Sequence, residues 1–218
     1  MITLYHCEGA RSFRPLWMLE ELGLPYELKM LPFPPRVLAK EYLALNPLGT
    51  IPLMIDGENK MTESSGICHY LGMTYGPTPL MVEPHEPAYA AFLNWMYFSD
   101  ATLTFPQTLV LRYSQLEPEE RRSAQVATDY AKWFLGRLRA VEAATAGTET
   151  LSAGRFTAAD IVIGYALRLA DSIGLAKDFG PNVAAYWARL QTRLGYQRAL
   201  EAERRAGVEQ GVKPRARA

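Results

Sequence analysis

Four residues, Gly76-Pro77-Thr78-Pro79, divide this 218-residue chain into two halves that need different architectures. Glycine and proline together break any regular element, and Pro84 and Pro87 follow closely. Before the break, strand and helix signals alternate. Ile2 to Cys7 reads as a strand, Ser12 to Leu22 as a helix, Tyr26 to Met30 as a second strand, and Leu38 to Leu45 as a short helix. A third strand spans Ile51 to Ile55 and turns at Asp56-Gly57 into a hairpin partner at Asn59 to Thr62, and a helix runs from Ser64 to Tyr75. This β-α-β-α-β-β-α order fits a mixed four-stranded sheet with helices on its faces. After the break, strand signals vanish. Apolar residues recur at helical spacing over 87–113, 119–145, 158–173 and 182–200, with Pro106 expected to kink the first of these. The expected layout is an α/β domain over 1–77, a linker over 78–86, an all-helical domain over 87–205 and a flexible tail over 206–218.

Helix boundaries are marked locally. Ser12 is placed as an N-cap, Pro15 falls in the first turn, and Gly23 is a terminator. Thr157-Ala158-Ala159-Asp160 reads as a capping box with Asp in the place of the usual Glu or Gln. It opens the apolar helix that is expected to form the centre of the second domain.

Composition excludes more than it identifies. With 23 basic and 23 acidic residues, no net field draws the chain to nucleic acid or to a membrane surface. No apolar run approaches the roughly 20 residues that span a bilayer. Met1-Ile2-Thr3-Leu4 reads as strand and not as a signal segment. Cys7 and Cys68 make no disulfide framework, which suits a reducing cytoplasm. His6, His69 and His85 share no metal-ligand spacing, so no metal is expected. Arg204, Arg205, Lys213, Arg215 and Arg217 among Gly and Pro read as a solvated tail.

The stretch richest in chemistry is Asn46-Pro47-Leu48-Gly49-Thr50-Ile51-Pro52, followed by Glu63-Ser64-Ser65. A proline where a strand begins gives no ladder donor and leaves neighbouring backbone groups free. Such an edge pairs with an extended peptide-like ligand. Glu63-Ser64 opens a helix, and an exposed helix start attracts a carboxylate. A backbone edge beside an anion site suits a small acidic peptide. The bland reading makes Ser64 a plain N-cap and Pro52 an ordinary edge proline, and the cap and the ligand role can coexist.

Leu4-Tyr5-His6, the first-helix run Arg-Ser-x-Arg-x-x-Trp-x-Leu-Glu-Glu-Leu over 11–22, Asn46 to Pro52, and Glu63-Ser64 with Ile67, Tyr70 and Leu71 resemble a cytosolic glutathione transferase of bacterial type. The resemblance is dense over the first 77 residues and rests on layout beyond them, apart from Thr157 to Asp160. It implies a thioredoxin-like N-terminal domain, an all-helical C-terminal bundle, a homodimer, and glutathione as co-substrate. By this resemblance Thr50, Ile51 and Pro52 line the glutathione site. Ile51 pairs its backbone with the cysteinyl part, and Pro52 is the cis residue shaping that edge. Glu63 takes the γ-glutamyl amino group and Ser64 its carboxylate.

The implied chemistry is thiolate activation and conjugation to small apolar electrophiles. The activating residue lies at the end of the first strand or the start of the next helix. Ser12 leads, because a hydroxyl at a helix N-terminus adds its hydrogen bond to the positive end of the dipole. Tyr5 is the rival, Arg11 can add positive field, and Cys7 reads as an inert buried thiol. Cysteine-type relatives carry their nucleophile where this chain has Arg11. The Arg11-Ser12…Arg14 pattern partly resembles maleylacetoacetate isomerases, whose serine-rich run before the helix is missing here. The acceptor is expected between the first helix and the helix over 87–113, against Tyr97, Phe98, Ala101 and Phe105. A glutathione-dependent isomerase or peroxidase, or a non-catalytic binding relative, is the alternative.

Overall fold

The computed structural model describes residues 1–212 of the chain, so Lys213, Arg215 and Arg217 of the expected tail lie outside the described residues. The described residues form two compact units, Met1–Thr78 joined by residues 191–212, and Pro79–Leu190.

The first unit is built on β1 (Ile2–His6), α1 (Phe13–Leu22), β2 (Tyr26–Met30), the single turn α2 (Pro35–Leu38), a 3-10 turn at Lys40–Ala44, β3 (Leu53–Asp56), β4 (Asn59–Met61) and α3 (Ser64–Thr74). The strands lie in the order β2-β1-β3-β4. β1 is parallel to β2, with Ile2 opposite Tyr26 and His6 opposite Met30. It is antiparallel to β3, with Tyr5 opposite Leu53. The hairpin β3-β4 closes at Gly57, whose positive φ of 59° suits a tight turn. This is the mixed sheet expected from the pattern of elements, in the thioredoxin-like arrangement that the resemblance implies. Alternation along β1 buries Ile2, Leu4 and His6 on one face, while Tyr5 on the other packs against Tyr42 at 5.4 Å between rings.

The second unit is helical. It holds α4 (Tyr89–Phe98), α5 (Phe105–Leu111), α6 (Ala124–Ala144), α7 (Ala158–Ser172) and α8 (Pro181–Gln191). As expected, α7 is central, with twelve of its fifteen residues buried.

Four expectations need correction. The helix over 87–113 is interrupted by a π-helical turn at Ser99–Thr104, just before Pro106. A proline ring clashes with the carbonyl four residues back, and the wider turn makes room for the Pro106 ring. The helix over 119–145 starts later, at Ala124, because Ser123 caps it, its Oγ accepting the Val126 N–H. The helix over 182–200 breaks at Thr192-Arg193, and α9 (Leu194–Glu209) begins anew. Arg193 is extended there and forms a two-pronged ion pair with Glu21 at 2.9 Å. A Cβ on Gly195 would lie 2.5 Å from the Glu21 carboxyl carbon, so a larger residue there would displace the carboxylate that Arg193 holds. α9 therefore belongs to the first unit and extends to Glu209, into the span expected as tail.

The fourth correction concerns the expected linker. Leu80, Met81 and Val82 are buried, and Arg155 clamps the segment. Its Nε donates to the Pro79 carbonyl, one Nη to the Met81 carbonyl, and both Nη atoms to Glu86 at 2.8 Å. Hydrogen bonds from Arg155 first, and from the Glu83 amide second, hold the Glu86 carboxyl down to about 2. A carboxyl depressed in the folded state adds stability above its unfolded value and loses it as pH falls toward the folded one. The melting temperature of Glu86→Gln should therefore lie below wild type at about pH 6 and converge with it between about pH 4.5 and 2. A gap that persists at pH 2 would show that the ion pair does not set it.

Candidate functional site

The loop 46–52 is held from below. Asn46 is buried and donates through Nδ2 to the Thr50 carbonyl at 2.8 Å, while its Oδ1 accepts the Leu48 N–H. The Tyr42 hydroxyl donates to the same Thr50 carbonyl at 2.8 Å. Gly49 has φ of 57° and passes so close to α2 that a Cβ would sit 2.6 Å from the Arg36 Cβ. These contacts leave Thr50 exposed and present Ile51 just ahead of β3. The Ile51–Pro52 bond is cis. Neither backbone group of Ile51 takes a hydrogen bond among the described residues. A free donor and acceptor at the end of β3 offer one rung of a ladder to an extended ligand.

The second feature is the start of α3. Glu63 occupies the N-cap with extended backbone, but its side chain makes no cap bond and stands exposed. Ser64 follows, almost fully buried, and its Oγ accepts from Arg14 Nη1 at 2.9 Å. Arg14 has no exposed surface. A guanidinium stays protonated in proteins, so a positive charge lies behind the mouth of α3 and adds to the helix dipole. Ser64, accepting from Arg14, keeps its own proton for a ligand.

The residues of the β1–α1 segment separate by burial. Ser12 sits at the N-cap of α1 as expected, yet its side chain caps nothing. Its backbone is already helical, with φ −61° and ψ −11°, and a capping side chain needs the extended region. The Ser12 hydroxyl turns back instead and accepts the Cys7 N–H at 3.4 Å. It has no exposed surface, and among the described residues nothing takes its proton. Tyr5 is half-buried, packed with Ile51 and Leu31 around Tyr42 and Leu53, and its hydroxyl makes no hydrogen bond among the described residues. Arg11 is half-buried. Cys7 is buried, and desolvation pushes its thiol up to about 12, which removes it as a thiolate nucleophile at neutral pH.

The acceptor candidates lie in the second unit. Tyr97, Ala101 and Phe105 are exposed, and Phe98 is half-buried edge-to-face against Trp95 at 5.2 Å. Thr157 and Asp160 form the expected capping box, Asp160 Oδ2 accepting the Thr157 N–H at 2.8 Å. Among the described residues no group of three or more His, Cys, Asp or Glu is placed to hold a metal, and no helix is long and apolar enough to cross a membrane.

In the sequence Arg14 is part of the first-helix motif with no role of its own, and no local signal ties Glu203 to the first unit. An arginine on the apolar stretch Phe13 to Leu19 was the available sign of the first.

The model of the family "Glutathione S-transferase, N-terminal domain" matches residues 4–79. The glutathione S-transferase hmp2 of Hypomyces subiculosus is 34% identical over 145 residues, which cover 62% of this chain and 68% of that protein. GstB of Escherichia coli strain K12 is 27% identical over 92% of this chain and 98% of its own length. Glutathione S-transferase 3 of Schizosaccharomyces pombe is 37% identical, but over less than half of either chain, 47% of this one and 43% of that. Among solved structures, a glutathione transferase from Methylococcus capsulatus superposes with a TM-score of 0.83 at 24% identity, covering 93% of this chain and 98% of that one. Ure2p5 of Phanerochaete chrysosporium, cocrystallized with 1-(S-glutathionyl)-2,4-dinitrobenzene, gives 0.82 at 22% identity over 97% and 98%. At such identities the structures establish the fold, and the sequence match to hmp2 carries the kinship. This chain belongs to the glutathione S-transferase family.

Proposed function

We propose that the first unit binds glutathione, lowers the pKa of its thiol, and transfers the sulfur to small apolar electrophiles. The observation that carries the binding is the mouth of α3. There Ser64 retains a proton to donate, buried Arg14 supplies charge, and the side chain of Glu63 is left uncommitted. The γ-glutamyl end of the tripeptide has a carboxylate for Ser64 and an ammonium for Glu63. Thr50, Ile51 and Pro52 form the edge along which its cysteinyl backbone would lie. Ure2p5, with a glutathione conjugate bound, shares this fold and lends the reading support.

A free thiol titrates near 8.5, and lowering it by about two units takes roughly 2.7 kcal/mol of thiolate stabilisation. Ser12 is the proposed donor, with Arg11 adding positive field. Its proton is uncommitted, and it sits at the start of a ten-residue helix in a desolvated place where a hydrogen bond is strong. Reaching it requires the turn over Cys7–Arg11 to yield slightly, since the hydroxyl has no exposed surface. Tyr97, Phe98, Ala101 and Phe105 are proposed to touch the acceptor. The dimer and the cytoplasmic setting belong to the same reading, and Cys7 and Cys68, both buried and not joined in a disulfide, agree with a reducing compartment.

Calorimetry with glutathione, followed by a rate assay with 1-chloro-2,4-dinitrobenzene, tests the reading. Ser64→Ala should weaken glutathione binding about tenfold, the value of a hydrogen bond to a charged group. No heat from the wild type at millimolar glutathione would end the proposal. Binding without turnover on electrophiles or peroxides would instead favour a regulatory role.

A further inference from the structure

We propose that Glu203 is a positioning residue for thiol activation. From α9 it holds the turn between β1 and α1, and with that turn the Ser12 hydroxyl. The proposal rests on the reading of Ser12 given above.

One carboxylate oxygen, Glu203 Oε1, accepts the Gly9 N–H at 2.7 Å and meets His6 Nε2 at 2.9 Å. Glu203 and His6 are both buried, and 197 positions separate them. Gly9 has φ of 67° and is the left-handed pivot of the turn, three residues before Ser12. Within the turn, the Ala10 N–H reaches the Cys7 carbonyl at 3.1 Å and the Phe13 N–H the Ala10 carbonyl at 2.9 Å. The Cys7 N–H to Ser12 Oγ bond is longer, at 3.4 Å, and weak by ordinary geometry. The orientation of Ser12 thus depends on where the turn is held, more than on its own bond.

Glu203 is a fixed point because α9 is anchored independently along its length. Tyr196 packs edge-on to Phe13 at 5.5 Å and to Trp17 at 4.9 Å. Arg193 and Arg198 pair with Glu21 and Glu20, and Gln210 exchanges hydrogen bonds with the backbone of β2 at Met30 and Leu28. Losing one carboxylate leaves those anchors in place. Stability alone does not account for the pair, because buried polar pairs are often replaced by apolar ones at no cost. With Nε2 as the donor, His6 Nδ1 is left buried and without a partner among the described residues. That arrangement fixes a geometry and does not maximise bonding.

The test compares full-length Glu203→Leu, which removes both contacts, with Glu203→Gln, which keeps a carbonyl oxygen for the Gly9 N–H. Three quantities are read: ionisation of bound glutathione by thiolate absorbance against pH, the glutathione Kd, and amide hydrogen exchange at Cys7 and Gly9. Glu203→Leu should raise the pH of half-ionisation by about one unit and lower turnover near pH 6.5 about tenfold. Kd should stay within about twofold, since Ile51 and Ser64 do the gripping. Exchange at Cys7 and Gly9 should quicken about tenfold, and Glu203→Gln, whose amide oxygen is an uncharged and weaker acceptor, should show about half of each shift. Unchanged ionisation in a folded leucine variant overturns the proposal, as does unchanged ionisation and exchange in Glu203→Gln should the leucine variant not fold. A wild type with no bound-thiolate signal overturns the glutathione reading and this proposal with it. A wild-type signal that both variants keep overturns this proposal alone.

Discussion

Ser12→Ala should lower turnover about 100-fold while changing glutathione affinity less than about threefold. Two decades of rate correspond to about 2.7 kcal/mol, the same energy that separates a thiol ionising near 6.5 from one left near 8.5. The pH–rate profile should move with it, so that much of the lost activity returns in the alanine variant as pH approaches about 8.5. That recovery separates lost activation from lost folding. Stability should fall by about 1 kcal/mol, since the Cys7 N–H loses the acceptor it has in the Ser12 hydroxyl. Tyr5→Phe is the control. The Tyr5 ring is held by Tyr42 and the cluster around Leu53, and the hydroxyl it would lose makes no hydrogen bond among the described residues. Turnover should therefore stay within about threefold of wild type. An active Ser12→Ala beside an inactive Tyr5→Phe would move the donor role to the tyrosine.

How far the chain could be read in advance depended on whether a feature was local. The bend at Pro52, the start of α3 at Ser64 and the capping box at Thr157 are each defined by neighbours within a few residues. Their geometry follows from proline, helix-start and capping chemistry. The succession of strands and helices along the chain came from the alternation of periods before Gly76, while the order β2-β1-β3-β4 within the sheet did not. Arg14 was not legible in the same way. In sequence it is one more residue of an apolar helix, and only folding carries α1 against α3 and puts its guanidinium 2.9 Å from Ser64. Ser12 was placed correctly at the helix start, but its hydroxyl turned away from its own helix because the backbone entered αR one residue early. α9 was hardest to foresee. Its break at Arg193 and its return to the first unit depend on Glu20, Glu21, His6 and Gly9, more than 170 positions away. A periodic helical pattern holds no information about which sheet the helix will cover.

Asp160→Ala should destabilise the second unit by about 3–5 kcal/mol. This carboxylate has no exposed surface and four donors converge on it. Oδ1 accepts the Leu151 N–H at 3.0 Å and the Tyr186 hydroxyl at 2.7 Å. Oδ2 accepts the Thr157 N–H at 2.8 Å and the Thr157 hydroxyl at 3.1 Å. Burial pushes the Asp160 carboxyl up, against those hydrogen bonds, so the site gives back part of what the bonds contribute. That opposition is why the expected loss is well below four full hydrogen bonds. Alanine leaves at least two buried N–H groups without an acceptor, at about 1–3 kcal/mol each. It also releases the first turn of α7, the most buried helix of that unit. Asp160→Asn keeps the volume but turns an amide donor toward one pair of donors, and should recover less than half of the loss. Tyr186→Phe removes a single donor and should cost about 1 kcal/mol, and combining it with Asp160→Ala should add little further, because the two share one bond. Denaturant unfolding followed by the fluorescence of Trp95, Trp133 and Trp187, all in this unit, gives the measurement. A loss under about 1 kcal/mol for Asp160→Ala would mean that the apolar burial of Ile161 to Leu169, and not the carboxylate, holds α7 in place.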